Sequence, residues 1–156
     1  MAGLDATLRR LTGYCLRRAT SQVLVTVNET LAAFALRRTT FTALTVVVDN
    51  PGLRQSQLAG TLNIERANLV QIVHELEAAG LVTRQRVPED KRVYTLSPTQ
   101  EGTDLHRRAL RQLCTVDAAL TRGLSAAETQ ALRRALLLVE GNASKENLHG
   151  SRLPGA

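Results

Sequence analysis

Between Pro51 and Thr99 the apolar positions shift from a helical to a strand period. Leu58, Ala59 and Leu62 share one face of a short segment, and Ile64 falls in a tight polar break. Leu69, Ile72, Val73 and Leu76 then recur at helical spacing. Gly80 stands just past Ala79, where this second helix should end. The runs Leu81 to Arg86 and Arg92 to Leu96 are β-like and flank Val87-Pro88-Glu89-Asp90-Lys91, a charged hairpin composition. Two helices across a tight turn, followed by a hairpin, compose a winged helix-turn-helix over about residues 39–98.

The flanking segments are helical. From about Asp5 to Phe34, Leu8, Leu11, Cys15, Ala19, Val23, Val27, Leu31 and Phe34 step by three or four and form one stripe, which Tyr14 and Val25 widen. A stripe this long needs a partner, and a second subunit would cover it. Gly13 in this helix suggests close approach of another backbone. Leu36-Arg37-Arg38-Thr39-Thr40 interrupts the pattern, with Thr39 or Thr40 as the expected cap of a short helix carrying Phe41, Leu44, Val47 and Val48. Asp49-Asn50-Pro51-Gly52 ends that helix. Thr99 starts a long helix to about Thr121, lined by Leu105, Ala109, Leu113, Val116 and Leu120 and closed by Gly123. Ser125-Ala126-Ala127-Glu128 is a capping box for a last helix with Leu132, Leu136 and Val139, ended by Gly141. Residues 142–156 are polar, contain Gly and Pro, lack periodicity and read as a disordered tail. The expected fold is mainly α with a small β-hairpin wing. It forms one domain over residues 1–141, with terminal helices over about 5–36 and 99–141.

Composition narrows the function class. The 156 residues suit one domain with a real core. Aromatics make up only 3%, so aliphatic packing must fill it. No apolar run is long enough to span a bilayer, and Met1 to Arg10 lacks the apolar segment of a secretory signal, so a cytoplasmic location and no membrane partner are expected. A net charge of +6 points towards an acidic partner. Yet residues 1–40 carry six Arg against two acids, whereas residues 51–96 carry six basic groups against five acids. Any electrostatic grip by the helix-turn-helix must therefore come from placement more than from bulk charge. Cys15 and Cys114 belong to no metal-ligand spacing and read as buried small apolar groups. His74, His106 and His149 are scattered, and no catalytic constellation or phosphate-cradling glycine loop is present. No enzyme activity, metal or cofactor is expected.

Several motifs in order carry a family resemblance. They are Asn50-Pro51-Gly52-Leu53, Gln57-Leu58-Ala59, Leu76-Glu77-Ala78-Ala79-Gly80-Leu81-Val82, the wing pattern Arg84…Asp90-Lys91-Arg92, and Leu96-Ser97-Pro98-Thr99-Gln100-Glu101-Gly102. Across roughly Leu11 to Gly141 the chain resembles the MarR family of bacterial transcriptional regulators. The resemblance implies terminal helices that form a homodimer interface and a second helix that reads double-stranded DNA. In some relatives a cysteine of the N-terminal helix senses oxidants, and Cys15 lies in that helix.

With Leu69, Ile72, Val73 and Leu76 turned inward, Glu65, Arg66, Ala67, Asn68, Val70, Gln71 and His74 face out. A carboxamide pairs bidentately with adenine N6 and N7, which makes Asn68 and Gln71 the candidate base readers. Arg66 can pair with guanine or hold a phosphate, with a capping or solvated role as the alternative. Many relatives place Ser or Thr at position 70 and Arg at position 71, so Val70, suited to a thymine methyl, and Gln71 depart from the family pattern. Arg54 replaces a frequent Thr or Ser cap, which leaves Ser56 and Gln57 as phosphate candidates. In the wing, Arg92 resembles the family arginine that enters the minor groove. Asp90 is placed to orient Arg92 and could also take Arg84, with a weak surface ion pair as the alternative. Arg86 and Lys91 are phosphate candidates.

The resemblance also implies a small aromatic acid bound between dimer helices and DNA-binding lobe. Tyr14, Arg17, Arg18, Arg37 and Arg38 are the candidate effector residues, since an arginine fork pairs bidentately with a carboxylate. The resulting expectation is a homodimeric repressor released from a pseudo-palindromic operator by such a ligand. The alternatives are a ligand-independent activator or architectural DNA binder, and a winged-helix adaptor for another protein.

Overall fold

The structure, a computed structural model, describes residues 4–87 and 90–143. It divides into two compact units, the first extending to Val116 and the second beginning at Asp117. In the first unit α1 (Thr12–Ala32), α2 (Arg38–Asp49), α3 (Gln55–Leu62) and α4 (Arg66–Ala78) are joined by a three-stranded antiparallel sheet. The strands are β1 (Leu53–Arg54), β2 (Val82–Val87) and β3 (Asp90–Pro98), in the order β1-β3-β2. The long α5 (Gln100–Leu120) leads into the second unit, whose helix is α6 (Ala126–Asn142). Among the described residues no helix is long and apolar enough to cross a membrane. The fold is mainly α with a winged helix-turn-helix, as the hydrophobic periods predict.

The core lies between α2, α4 and the sheet. Leu44, Val47, Leu58, Leu69, Val73, Leu76 and Leu96 are fully buried, and Phe41 and Leu81 nearly so. Each such side chain is worth about 1.5–3 kcal/mol relative to exposure. The inward stripe of α4 is the expected one. Its end is set by Gly80, whose φ of +68° is the left-handed conformation that glycine adopts without a Cβ penalty. The Leu81 N–H then reaches back to the Leu76 carbonyl at 2.9 Å and the Gly80 N–H to Glu77 at 2.9 Å, so orphan carbonyls of α4 are satisfied.

Local expectations changed at several points. The helix expected from Asp5 breaks at Leu11, which is extended (φ −90°, ψ 119°) between a 3-10 turn at Leu8–Arg10 and α1. Asp5 fastens this corner, accepting from Arg9 Nε at 2.9 Å and from the Tyr14 hydroxyl at 2.8 Å. These bonds, Arg9's first, hold the Asp5 carboxyl below its usual range. The residue before α2 is Arg37, without a side-chain cap, and neither Thr39 nor Thr40 caps it: Thr40 is inside the helix and buried. Leu53–Arg54 adds a third strand to the expected two, paired with Thr95 and Leu96. The expected turn tip, Pro88 and Glu89, and the tail from Ser144 onward lie outside the described residues.

The stripe expected from Leu8 to Phe34 is fully buried only at Leu31; Leu8 and Leu11 before α1, and Cys15 and Ala19 on it, are exposed. Both cysteines, expected to be buried, are exposed among the described residues. Among the described residues no other backbone approaches Gly13: outside its own helix turn, nothing lies within 4 Å of its Cβ position.

On α5, His106 is buried and stacks on Phe41 with ring centroids 5.5 Å apart. Burial pushes its pKa below the ordinary 6.5, and the negative charge of Asp49 opposes this only in part. Below about pH 6.5 the unfolded chain therefore takes up a proton that the folded chain refuses. Stability is full above that pH and falls as pH drops towards the depressed folded pKa. Urea denaturation at about pH 7.5 and pH 5.5 should show this loss in the wild type and a smaller one in His106→Phe.

Candidate nucleic-acid interface

The two helices of the motif are held at a fixed angle by their turn. Asn63 takes the left-handed conformation (φ +49°), and the Ile64 N–H returns to the Ala59 carbonyl at 3.2 Å. Ile64 and Leu62 pack against the core, so the turn cannot swing freely. At the start of α3 the Gln57 side chain accepts from the Arg54 N–H at 3.0 Å. Gln57 Oε1 thus satisfies the Arg54 N–H, the bond that the third helical residue makes in a capping box, while Ser56 stays exposed beside it. Glu65 precedes α4 without capping it through its side chain, and Arg66 is the first helical residue.

Burial of Leu69, Ile72, Val73 and Leu76 turns Arg66, Asn68, Val70, Gln71 and His74 into solvent. Val70, an apolar group, is 51% exposed. A cleft of about 470 Å³ runs between Ser56 of α3, Arg66 and Val70 of α4, and Arg84 and Tyr94 of the wing. Four of the sequence-derived candidates, Ser56, Arg66, Val70 and Arg84, thus converge on one concave surface.

The wing shows an organiser that the sequence reading passed over. Arg86 lies opposite Tyr94 in the β2–β3 register, and its Nε donates to the Tyr94 hydroxyl at 2.9 Å. The Arg84 guanidinium sits 3.5 Å from the centroid of the same ring. One aromatic side chain therefore holds both arginines by stacking and hydrogen bonding. The signal was the pairing register, which places residues 84 and 86 beside residue 94 once the turn length is known. Asp90, Lys91 and Arg92 belong to β3, but their side chains, and with them the expected Asp90–Arg92 pair, lie outside the described residues.

Gln71 is also less free than its position suggests. Its Nε2 donates to Glu75 Oε1 at 3.3 Å. Glu75 in turn accepts a charge-assisted bond from Arg37 Nη2 and a bond from the Thr40 hydroxyl at 3.3 Å. The arginine above all holds the Glu75 carboxyl below its ordinary range. Sequence reading missed Glu75, since its partners lie 35 and 38 residues away in the chain.

Of the candidate effector residues, Arg37 borders a cleft of about 450 Å³ together with Phe34, Leu36, Thr40, Glu75 and Leu105. With Arg38, Asn28 and Thr39 it borders a second cleft of about 380 Å³. Tyr14 instead donates to Asp5, and Arg17 sits 5.1 Å from the Tyr14 ring centroid. Arg17 and Arg18 are exposed on α1.

A family model described as MarR family matches residues 36–93, the stretch from just before α2 to within β3. A putative transcriptional regulatory protein for the hcr operon of Thauera aromatica is 36% identical over 85 residues, covering 54% of this chain and 51% of that protein. The chain thus spans about half the length of that curated relative. The structure of the transcriptional repressor CouR bound to a 23-mer DNA duplex is similar throughout, with a TM-score of 0.83, 31% identity, and 90% of this chain and 99% of that chain covered. CouR from Rhodococcus jostii RHA1 bound to p-coumaroyl-CoA gives a TM-score of 0.75 at 26% identity, covering 85% of this chain and 93% of that one.

Proposed function

The chain belongs to the MarR family, and we propose that it is a homodimeric transcriptional repressor that leaves a pseudo-palindromic operator when a small anionic aromatic ligand binds. The observation that carries the DNA-binding part is the outer edge of α4. Arg66, Asn68, Val70 and Gln71 stand exposed on a helix whose opposite face is locked into the core, and Ser56 and Arg84 flank the cleft beside it. In this reading Asn68 and Gln71 pair with adenine, Val70 touches a thymine methyl and Arg66 takes guanine or a phosphate. Ser56, Gln57, Arg84, Arg86 and Lys91 fix register on the backbone, and Arg92, oriented by Asp90, enters the minor groove. The complex of CouR with a DNA duplex supports the DNA-binding reading.

Ligand release is supported by the CouR complex with p-coumaroyl-CoA and by the cleft beside Arg37. Arg37 is already engaged by Glu75, so an incoming anion must compete for it. The ligand acts by population shift, preferring a dimer whose two α4 helices no longer match the half-site spacing.

The test is to incubate the protein with fragmented DNA of its own genome and sequence what stays bound. Enrichment of one inverted repeat is expected, with half-sites about one helical turn apart. Affinity for that repeat should fall about 10³-fold or more between roughly 50 and 200 mM salt, as for a protein neutralising about six phosphates. Retention without a common site would favour an architectural binder. No retention, or binding indifferent to salt, would point to a protein adaptor instead.

A further inference from the structure

We propose that Glu75 is a positioning residue for base reading, whose carboxylate, braced by Arg37 and Thr40, holds the Gln71 carboxamide in one orientation. The inference rests on the DNA-binding function proposed above. Gln71 is exposed on α4, where an unrestrained glutamine would sample many rotamers and both faces of its amide. Here Glu75, one turn further along the same helix, receives Gln71 Nε2 at 3.3 Å.

The chemistry of the pair fixes which end of the amide faces inward. An ionised carboxylate has no hydrogen to give, so only the NH₂ end of Gln71 can bond to it. One N–H is thereby committed, and the other N–H and Oε1 remain. Those two groups form the donor–acceptor edge that matches adenine N7 and N6. A free amide could turn over, present its acceptor where N7 already accepts, and lose discrimination between bases.

Glu75 can play this part because it is itself held from another helix. The Arg37 guanidinium engages both carboxylate oxygens, and Thr40, buried on α2, donates to Oε2 at 3.3 Å. The geometry of a base-reading side chain on α4 is thus set by the N-terminal turn of α2.

The experiment uses the inverted repeat recovered with the wild type, with each base pair of a half-site replaced in turn. Kd is measured for the wild type, Gln71→Ala, Glu75→Ala, Thr40→Val and the Gln71/Glu75 double alanine variant. Gln71→Ala should lose about tenfold of preference at one A·T pair. Glu75→Ala should lose most of the preference at that same pair and keep it at the others, and the double variant should lose no more than Gln71→Ala. Thr40→Val, which keeps the Glu75 charge, should shift the same pair by a smaller factor. The proposal is overturned if Glu75→Ala keeps full preference at the Gln71 pair, or if Gln71→Ala changes no pair. A uniform loss at all pairs together with a lower melting temperature would also overturn it, leaving Glu75 as a strut between helices. A wild type without any preferred sequence would fail the DNA-binding reading itself, before any variant is compared.

Discussion

Gly102→Ala is expected to destabilise the first unit by about 1–3 kcal/mol, although alanine is the better helix former. A Cβ at this position would lie 2.0 Å from the Leu81 carbonyl oxygen and 2.9 Å from its carbon. The obstacle is backbone, and it is pinned. The Thr99 N–H donates to that same Leu81 oxygen at 3.0 Å, the Thr99 hydroxyl donates to the Gly80 carbonyl at 2.7 Å, and the Gly102 N–H donates to the hydroxyl at 2.9 Å. These bonds fasten the end of α4 to the start of α5. Overpacking costs about 1–3 kcal/mol and the strained hydrogen bond about 1 more, against about 1 regained in helix propensity. Gly60→Ala on α3 is the control, because its Cβ site is open and its φ is not positive. That variant should gain up to about 1 kcal/mol. Denaturant melts of both variants check the pair, and equal midpoints would refute the close approach. A displaced Leu81 would also pull on the end of α4, so operator affinity should fall alongside stability.

The same region shows what was legible in the chain. Thr99 and Gly102 stand out as a helix start, and the stripe Leu69, Ile72, Val73, Leu76 predicts the buried face of α4, because both signals are local and periodic. Local chemistry also suffices for the capping box of α6, where the Ser125 hydroxyl accepts from the Glu128 N–H at 3.3 Å. The failures are non-local. A strand of two residues, Leu53–Arg54, has no period to detect and exists only because Leu96 and Thr95 accept it as a neighbour. The break at Leu11 comes with a bond from Tyr14 to Asp5, nine residues away. Periodicity on α4 marks Gln71 as outward but says nothing about Glu75, whose partners Arg37 and Thr40 come from another helix. Tyr94 reads as an ordinary strand aromatic until the register places Arg84 and Arg86 on it. The outward-facing residues were therefore readable, and the contacts that orient them were not.

Placing glutamates at Leu137 and Leu138 together is expected to convert the dimer proposed above into a monomer and to weaken operator binding about 10²–10⁴-fold. Helix α6 has no buried residue, and Leu132, Leu136, Leu137, Leu138 and Val139 are all exposed. Leu132, Leu136 and Val139 share a stripe, whereas Leu137 and Leu138 point away from it, so the C-terminal half is apolar around most of its circumference. A helix of that kind is stable in water only when covered on several sides. In the first unit, Leu11 before α1 and Val25 on it are exposed as well. A second copy is the natural cover, since a twofold interface sets the same patch of each subunit against its mate. Leu137 and Leu138 are 68% and 69% exposed, so they contribute little to packing inside the chain, and the helix should keep its Ser125–Glu128 cap when they are changed. In the interface the charges would be desolvated and would meet like charges from the partner. A monomer holds one half-site alone and loses the effective concentration that the second contact supplies. Light scattering at matched concentrations, circular dichroism and operator Kd together check this. Monomer mass with unchanged helicity and a large loss of affinity is the expected result. An intact dimer carrying both glutamates would move the interface off this end of α6, and a monomer with undiminished affinity would remove the twofold operator from the mechanism.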